Sequence, residues 1–276
     1  MRVERIGSAT LYLGDARDIT PTLAPVDFIF TDPPYGHNNN NGDLIHRREV
    51  ALGQKTKLSE SRPIKNDGHE DASNLVRWLF AEAKRLLRSG CCCCCCAGGG
   101  GPDPQFARWS LWMDELLGFK QMVIWDKGPI GMGWHYRRSY ETVLVGMKPG
   151  AACKWYDETN RVENIIRANS LDIRKILPSK DDHPTPKHWR LAAHFIGLHT
   201  QPGEIVLDPF MGGGSTLEAA LKTGRRAIGI ELDPEHFERA LRRVEAAERE
   251  PRDMFLAVPI DPADERAADL FAEPRD

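Results

Sequence analysis

The sequence predicts a doubly wound α/β fold with a mostly parallel sheet, and three observations carry that prediction. Short apolar runs rich in β-branched and aromatic residues, Val26–Phe30, Glu204–Leu207 and Arg226–Ile230, read as strands buried on both faces. The first two deliver proline- and glycine-rich turns at their carboxyl ends, and amphipathic helical patterns follow such runs. At 276 residues the chain exceeds a typical domain, yet it fits one large α/β domain with a small inserted segment.

The turn after Val26–Phe30 is Thr31-Asp32-Pro33-Pro34-Tyr35-Gly36. Each proline fixes its own φ and restricts the residue before it, so the Asp32 carboxylate and the Pro33 carbonyl are presented together on a stiff backbone. Tyr35 adds a flat face, and Gly36 lets the chain turn away. An aromatic exocyclic amine suits this arrangement. Its lone pair is delocalised into the ring, and two acceptors on its N–H donors draw the nitrogen toward a tetrahedral, nucleophilic state. A base stacked in a duplex has to be flipped out to reach such a pocket. The bland alternative is a stiff loop of ordinary turn residues.

A second stretch, Asp208-Pro209-Phe210-Met211-Gly212-Gly213-Gly214-Ser215-Thr216, reads as a strand end, a glycine turn and a helix start that Ser215 and Thr216 are placed to cap. The glycines admit a ligand close to the backbone, and the helix N-terminus offers free N–H groups to a carboxylate. The strand at Arg226–Glu231 then ends in an acid about 20 residues after the turn, where nucleotide-binding sheets hold ribose hydroxyls. A nicotinamide-binding turn competes with this reading, but its third glycine position is filled by Leu217.

Together these stretches resemble the S-adenosylmethionine-dependent DNA amino-methyltransferases. Asp32-Pro33-Pro34-Tyr35 is similar to their catalytic motif and Asp208–Gly214 to their cofactor motif, in the order of the circularly permuted beta class. His183-Pro184-Thr185-Pro186-Lys187 matches a segment that class carries just before the cofactor motif, and the resemblance spans roughly residues 9–247. It implies a Rossmann-like, permuted methyltransferase fold in which Asp32, Pro33, Pro34 and Tyr35 are catalytic. It also implies cofactor contacts at Asp15, Asp32, His183, Thr185, Lys187, Asp208, Phe210, Met211, Gly212, Gly213, Gly214, Ser215, Thr216, Glu231 and Leu232. An ordinary turn role remains open for Asp15, and helix-start roles for His183 and Lys187.

An initial Asp leans toward adenine N6 and an initial Ser toward cytosine N4, so the resemblance favours N6-adenine methylation of double-stranded DNA, with N4-cytosine the alternative. RNA or protein amide nitrogen is a nearer competitor than a nicotinamide oxidoreductase or a non-catalytic DNA-binding module. Direct methyl transfer needs neither a catalytic cysteine nor a metal. Some relatives pair as homodimers, and a companion nuclease of a restriction–modification system is compatible with the family.

Charge is unevenly spread over a net −3. Trp134–Arg190 holds 11 Lys/Arg against 7 Asp/Glu, whereas Glu231 to the end holds 7 against 14. The basic middle supplies the DNA-contact candidates Arg137, Arg138, Lys154, Arg174 and Lys175, joined by Arg47 and Arg48 from a long polar stretch. Residues 1–147 form the catalytic half, with 37–74 as a mobile loop closing over DNA; 148–182 form a target-recognition segment, 183–247 the cofactor half and 248–276 an acidic, flexible tail. The loop Gly131–Arg138 interleaves glycines, aromatics and arginines, which suits nucleic acid as well as a plain anchored loop. No run approaches 18 apolar residues and no signal-peptide pattern opens the chain, so a soluble, cytoplasmic protein of a bacterium or phage is expected.

Asp71 or Ser73 is placed to cap a helix with an apolar stripe from Leu75 to Leu87, and Gly90 to stop it. Cys91–Cys96 cannot converge on one ion, because neighbours on a strand point to opposite faces. They read as a central strand of reduced thiols, with Cys153 unassigned. Phe106, Trp109, Met113 and Leu117 recur at helical spacing as core, and Gln121–Trp125 and Glu141–Met147 read as strands. Leu191, Phe195 and Ile196 mark an inward helix face, and Asp233-Pro234 opens a last helix that buries Phe237, Ala240, Leu241 and Val244.

Overall fold

The computed structural model describes residues 1–35, 69–98, 105–128, 139–167 and 189–250. Nine strands form one sheet in the order β1-β2-β9-β8-β3-β4-β6-β5-β7. These are β1 Arg2–Ile6, β2 Ala9–Leu13, β3 Val26–Thr31, β4 Leu87–Ala97, β5 Phe119–Asp126, β6 Tyr140–Met147, β7 Ile165–Arg167, β8 Ile205–Asp208 and β9 Arg226–Glu231. The five central strands β2, β9, β8, β3 and β4 are parallel; β1 and β6 run antiparallel to their neighbours. The predicted doubly wound, mostly parallel architecture is therefore the observed one. β1 and β7 were not expected: one is a five-residue edge strand, the other spans three residues, and neither carries a readable apolar period.

Helices cover both faces. Those longer than one turn are α2 His69–Leu86, α3 Gln105–Leu116, α4 Trp189–His199, α5 Ser215–Lys222 and α6 Pro234–Arg249; a short α1, Ala16–Ile19, follows β2. The cysteine run forms the middle of β4, and each of the six thiols is buried and free. Side-chain alternation splits them between two layers. Cys92, Cys94 and Cys96 share a core with Leu191, Phe195 and Phe237, while Cys91 and Cys93 pack with Leu86 and Ile29, and Cys95 with Phe80 and Met113.

Two local readings are corrected. α2 begins at His69, ahead of the expected caps, and passes directly into β4, so Gly90 does not end it. Gly90 instead sits inside β4 at φ +81, where a Cβ would lie 2.2 Å from the Ala152 carbonyl oxygen, and its neighbourhood shifts the β3–β4 register between Val26 and Phe28. A strand bulge and a helix stop call for the same left-handed residue, so sequence alone could not separate them. The helix α5 likewise lacks the predicted cap. Gly214 is its N-cap, at φ 82 with no side-chain hydrogen bond, because the Thr216 side chain turns to Asp208.

Candidate active site

The chain reverses direction across the sheet between β3 and β8, and this adjacency builds the site. The two strands pair in parallel through Phe28↔Val206 and Ile29↔Leu207, so the segment after Thr31 and the segment after Asp208 leave the same edge side by side. In open α/β sheets that position, outside the strand carboxyl ends at a topological switch point, is where ligands bind. The strand ends are tied to each other. Buried Thr31 donates its hydroxyl to the Asp208 carboxylate at 2.7 Å, and the Phe210 amide donates to the same oxygen at 3.1 Å. Burial raises the Asp208 carboxyl to about 6 despite these donors.

Asp32 and Tyr35 form a unit. The Tyr35 hydroxyl donates to Asp32 Oδ1 at 2.6 Å, and the Tyr35 ring lies 6.1 Å from Trp109 of α3, tilted by 58°. Phe210 meets the edge of Trp78 from α2 at 6.5 Å, so aromatic rings from both halves of the chain flank the Asp32 edge. Trp109 was read as a core helix position and Trp78 was given no role; their contacts with Tyr35 and Phe210 arise only from the crossovers after β3 and β4.

The glycine turn has the shape of a cradle. Nothing lies within 4 Å of where a Cβ would sit on Gly212 or Gly213, whereas one on Gly214 would come within 3.1 Å of the Ala240 Cα. The first two thus leave backbone open to a ligand, and the third lets α5 pack against α6. Glu231, at the end of the adjacent strand β9, closes the cradle: its carboxylate accepts from the Gly212 amide at 2.9 Å and the Asp233 amide at 2.7 Å. Burial lifts its carboxyl to about 7. Met211 is buried beneath the turn and Leu232 is exposed beside Glu231. Asp15 stands nearby, since the Gly14 amide donates to the Glu231 carbonyl at 2.9 Å, but its side chain caps α1 and pairs with Arg17. An uncapped helix start, an acid at the neighbouring strand end and open glycine backbone suit a cofactor with both a carboxylate and a ribose.

The remaining predicted contacts divide by position. Arg47, Arg48, Arg137, Arg138, Arg174, Lys175, His183, Thr185 and Lys187 lie outside the described residues. Their flanks are informative. Tyr35, the end of β5 at Asp126, the start of β6 at Tyr140 and the end of β7 at Arg167 all lie on the Asp32 edge, because β6 runs opposite to β4 and β5 while β7 runs with β5. α4 descends from that side, packing Phe195 on Phe30 and then His199 on Phe28. Lys154 is a correction. It sits at the opposite edge, its ammonium 2.5 Å from Glu204 and 3.4 Å from Asp27 at the strand starts, where Arg88 also pairs with Asp27. The opening part of the 148–182 segment thus braces the far end of the sheet and returns to the Asp32 edge only at β7.

A Rossmann-like sheet with a carboxylate–tyrosine pair beside a glycine cradle defines a group-transfer enzyme that places a planar amine against a nucleotide-type cofactor. The DNA methylase family model matches residues 26–242, and the chain belongs to that family. It is 26% identical over 253 residues to the DNA adenine methyltransferase YhdJ of Escherichia coli (strain K12), covering 80% of this chain and 77% of that protein. The type II methyltransferase M2.DpnII of Streptococcus pneumoniae is 27% identical over 239 residues, covering 80% of this chain and 83% of its own length. Among solved structures, the M1.HpyAVI–SAM complex superposes with a TM-score of 0.58 at 23% identity over 86% of this chain and 99% of that one, a likeness of fold.

Proposed function

We propose that this protein transfers the methyl group of S-adenosylmethionine to adenine N6 in double-stranded DNA, acting inside the cell on a flipped-out base. The observation that carries the reading is the side-by-side exit of Asp32-Pro33-Pro34-Tyr35 and Asp208–Gly214 from neighbouring parallel strands. The two relatives whose names include DNA adenine methyltransferase or type II methyltransferase each align over four-fifths of the chain. When bound, S-adenosylmethionine supplies a methyl already electrophilic on a sulfonium. The Gly212–Gly214 cradle and the start of α5 hold the amino-acid end, and Glu231 holds the ribose hydroxyls.

Asp32 and the Pro33 carbonyl accept the two N–H bonds of the base and direct its lone pair in line with the methyl. Asp32 also receives the proton that leaves as transfer completes. Tyr35, steadied on Trp109, offers its ring to the base, and the incoming amine shares or replaces the Tyr35 hydroxyl on Asp32. Arg47, Arg48, Arg137, Arg138, Arg174 and Lys175 are assigned to phosphate and base contacts. Incubation of unmethylated genomic DNA with labelled S-adenosylmethionine, followed by nucleoside mass spectrometry, tests the assignment. N6-methyladenine is the expected product; N4-methylcytosine would overturn the choice of base, and an unlabelled DNA pool would overturn the substrate.

A further inference from the structure

The sheet edge opposite Asp32 carries a cluster that the methyl-transfer chemistry does not use. Cys92 of β4, Cys153 and the last residue of α4, His199, present two sulfurs and an imidazole nitrogen within 4.8 Å of one another. The Cys92 and Cys153 sulfurs are 3.5 Å apart. The residues are 61 and 46 positions apart in sequence, so only the fold assembles them.

Two backbone hydrogen bonds and one from the His199 side chain hold the cluster in place. The Lys154 amide donates to the Gly90 carbonyl at 2.9 Å, fastening the segment that bears Cys153 to β4. The Tyr156 amide donates to the Leu198 carbonyl at 2.9 Å, fastening the same segment to the end of α4. His199 then donates from Nδ1 to the Lys154 carbonyl at 3.0 Å and stacks on Phe28 with ring centroids 5.5 Å apart, which fixes the plane of its ring. A backbone carbonyl on one imidazole nitrogen is the usual outer partner of a metal-binding histidine. Cys92 and His199 are buried and Cys153 is exposed, so the cluster opens to solvent on one side.

The geometry points to a binding site for a soft divalent cation, zinc by preference, formed by Cys92, Cys153 and His199 with water in the fourth position. Tetrahedral zinc, with bonds of about 2.3 Å to sulfur and 2.05 Å to nitrogen, sets its sulfur ligands about 3.8 Å apart and sulfur and nitrogen about 3.6 Å apart. The observed sulfur separation is within a few tenths of an ångström of that span. Thiolate and imidazole together select zinc over magnesium or calcium, which take oxygen ligands. Cys92 pairs with Phe28, four residues before Asp32 and about 13 Å away along the strand, so the metal lies apart from the reacting atoms. Its action is to clasp the Cys153 segment to β4 and α4.

The test uses the full chain, purified with a phosphine reductant, stripped of metal and shown to titrate as seven free thiols, then given Co(II) and afterwards Zn(II). One equivalent of cobalt with sulfur-to-cobalt charge-transfer absorption and tetrahedral d–d bands is expected, displaced by one equivalent of zinc. Cys153→Ser, at an exposed position, should lose the charge-transfer band and at least tenfold in zinc affinity. Cys93→Ala, on the other face of β4, should keep both. Zinc should raise the melting temperature of the wild type and not of Cys153→Ser. Fully reduced wild type that develops no cobalt band, or Cys153→Ser that binds cobalt with the same spectrum and stoichiometry, would overturn the assignment.

Discussion

Glu231 shows how burial and function meet in one side chain. Loss of hydration lifts its carboxyl from an ordinary 4.5 to about 7, while two backbone amides oppose the shift. Between those values the native protein holds a proton that the unfolded chain has released, so this group's contribution to stability falls as pH rises from about 4.5 to about 7 and is flat outside that window. Ribose hydroxyls are better bound by the carboxylate. S-adenosylmethionine affinity is therefore expected to rise about tenfold from pH 6 to pH 8 in calorimetric titrations, the ratio of ionised fractions for one group titrating near 7. In Glu231→Gln it should be weaker and nearly independent of pH.

The motif residues Asp32, Asp208, Glu231, Gly212 and Gly213 were legible because a charge or an open backbone at a strand end is a readable signal. Partnerships such as Tyr35 with Trp109 or Cys92 with Cys153 were not legible. They join residues 74 and 61 positions apart, and no local period encodes such a meeting.

At the scale of elements, the strands buried on both faces were readable from continuous apolar runs, and the cysteine strand was readable because thiols behave there as small hydrophobes. Element ends were less so, since Gly90 and Gly214 satisfy several left-handed roles equally well. Gly214 carries a clear prediction. A side chain there would have to adopt φ +82 against the Ala240 backbone, so Gly214→Ala should cost about 1–3 kcal/mol in a denaturant titration and weaken cofactor binding by shifting the start of α5. Gly213→Ala, which meets no atom within 4 Å and lacks a left-handed φ, should leave folding almost unchanged and impair binding alone.

Taken whole, the molecule separates its two sheet edges by task. The strand-end edge carries Asp32, the glycine cradle and the flanks of the segments that hold most of the basic candidates. The strand-start edge carries the Asp27–Arg88–Lys154–Glu204 ion-pair group and the Cys92–Cys153–His199 cluster. Charge counting could mark the middle of the sequence as basic, but it could not show that Lys154 faces away, because the chain crosses the sheet between Met147 and Ile165. Among the described residues no helix is long and apolar enough to cross a membrane. In DNA-binding titrations over a salt series, Arg137→Ala and Arg138→Ala should each lower the slope of log affinity against log salt by about 1, the loss of one phosphate contact. Lys154→Ala should leave DNA affinity and slope unchanged while lowering stability, through the Glu204 carboxylate it leaves without its ammonium partner, whereas Asp27 keeps Arg88.

The central claim is that Asp32 prepares the target amine beside the glycine cradle. Single-turnover transfer of labelled methyl to DNA by the wild type and by Asp32→Ala, at saturating cofactor and DNA, tests it most directly. A fall in the transfer rate of at least about 10²-fold, with the variant folded and still binding DNA, is the predicted result. A variant that transfers methyl within a few fold of the wild-type rate would contradict the account.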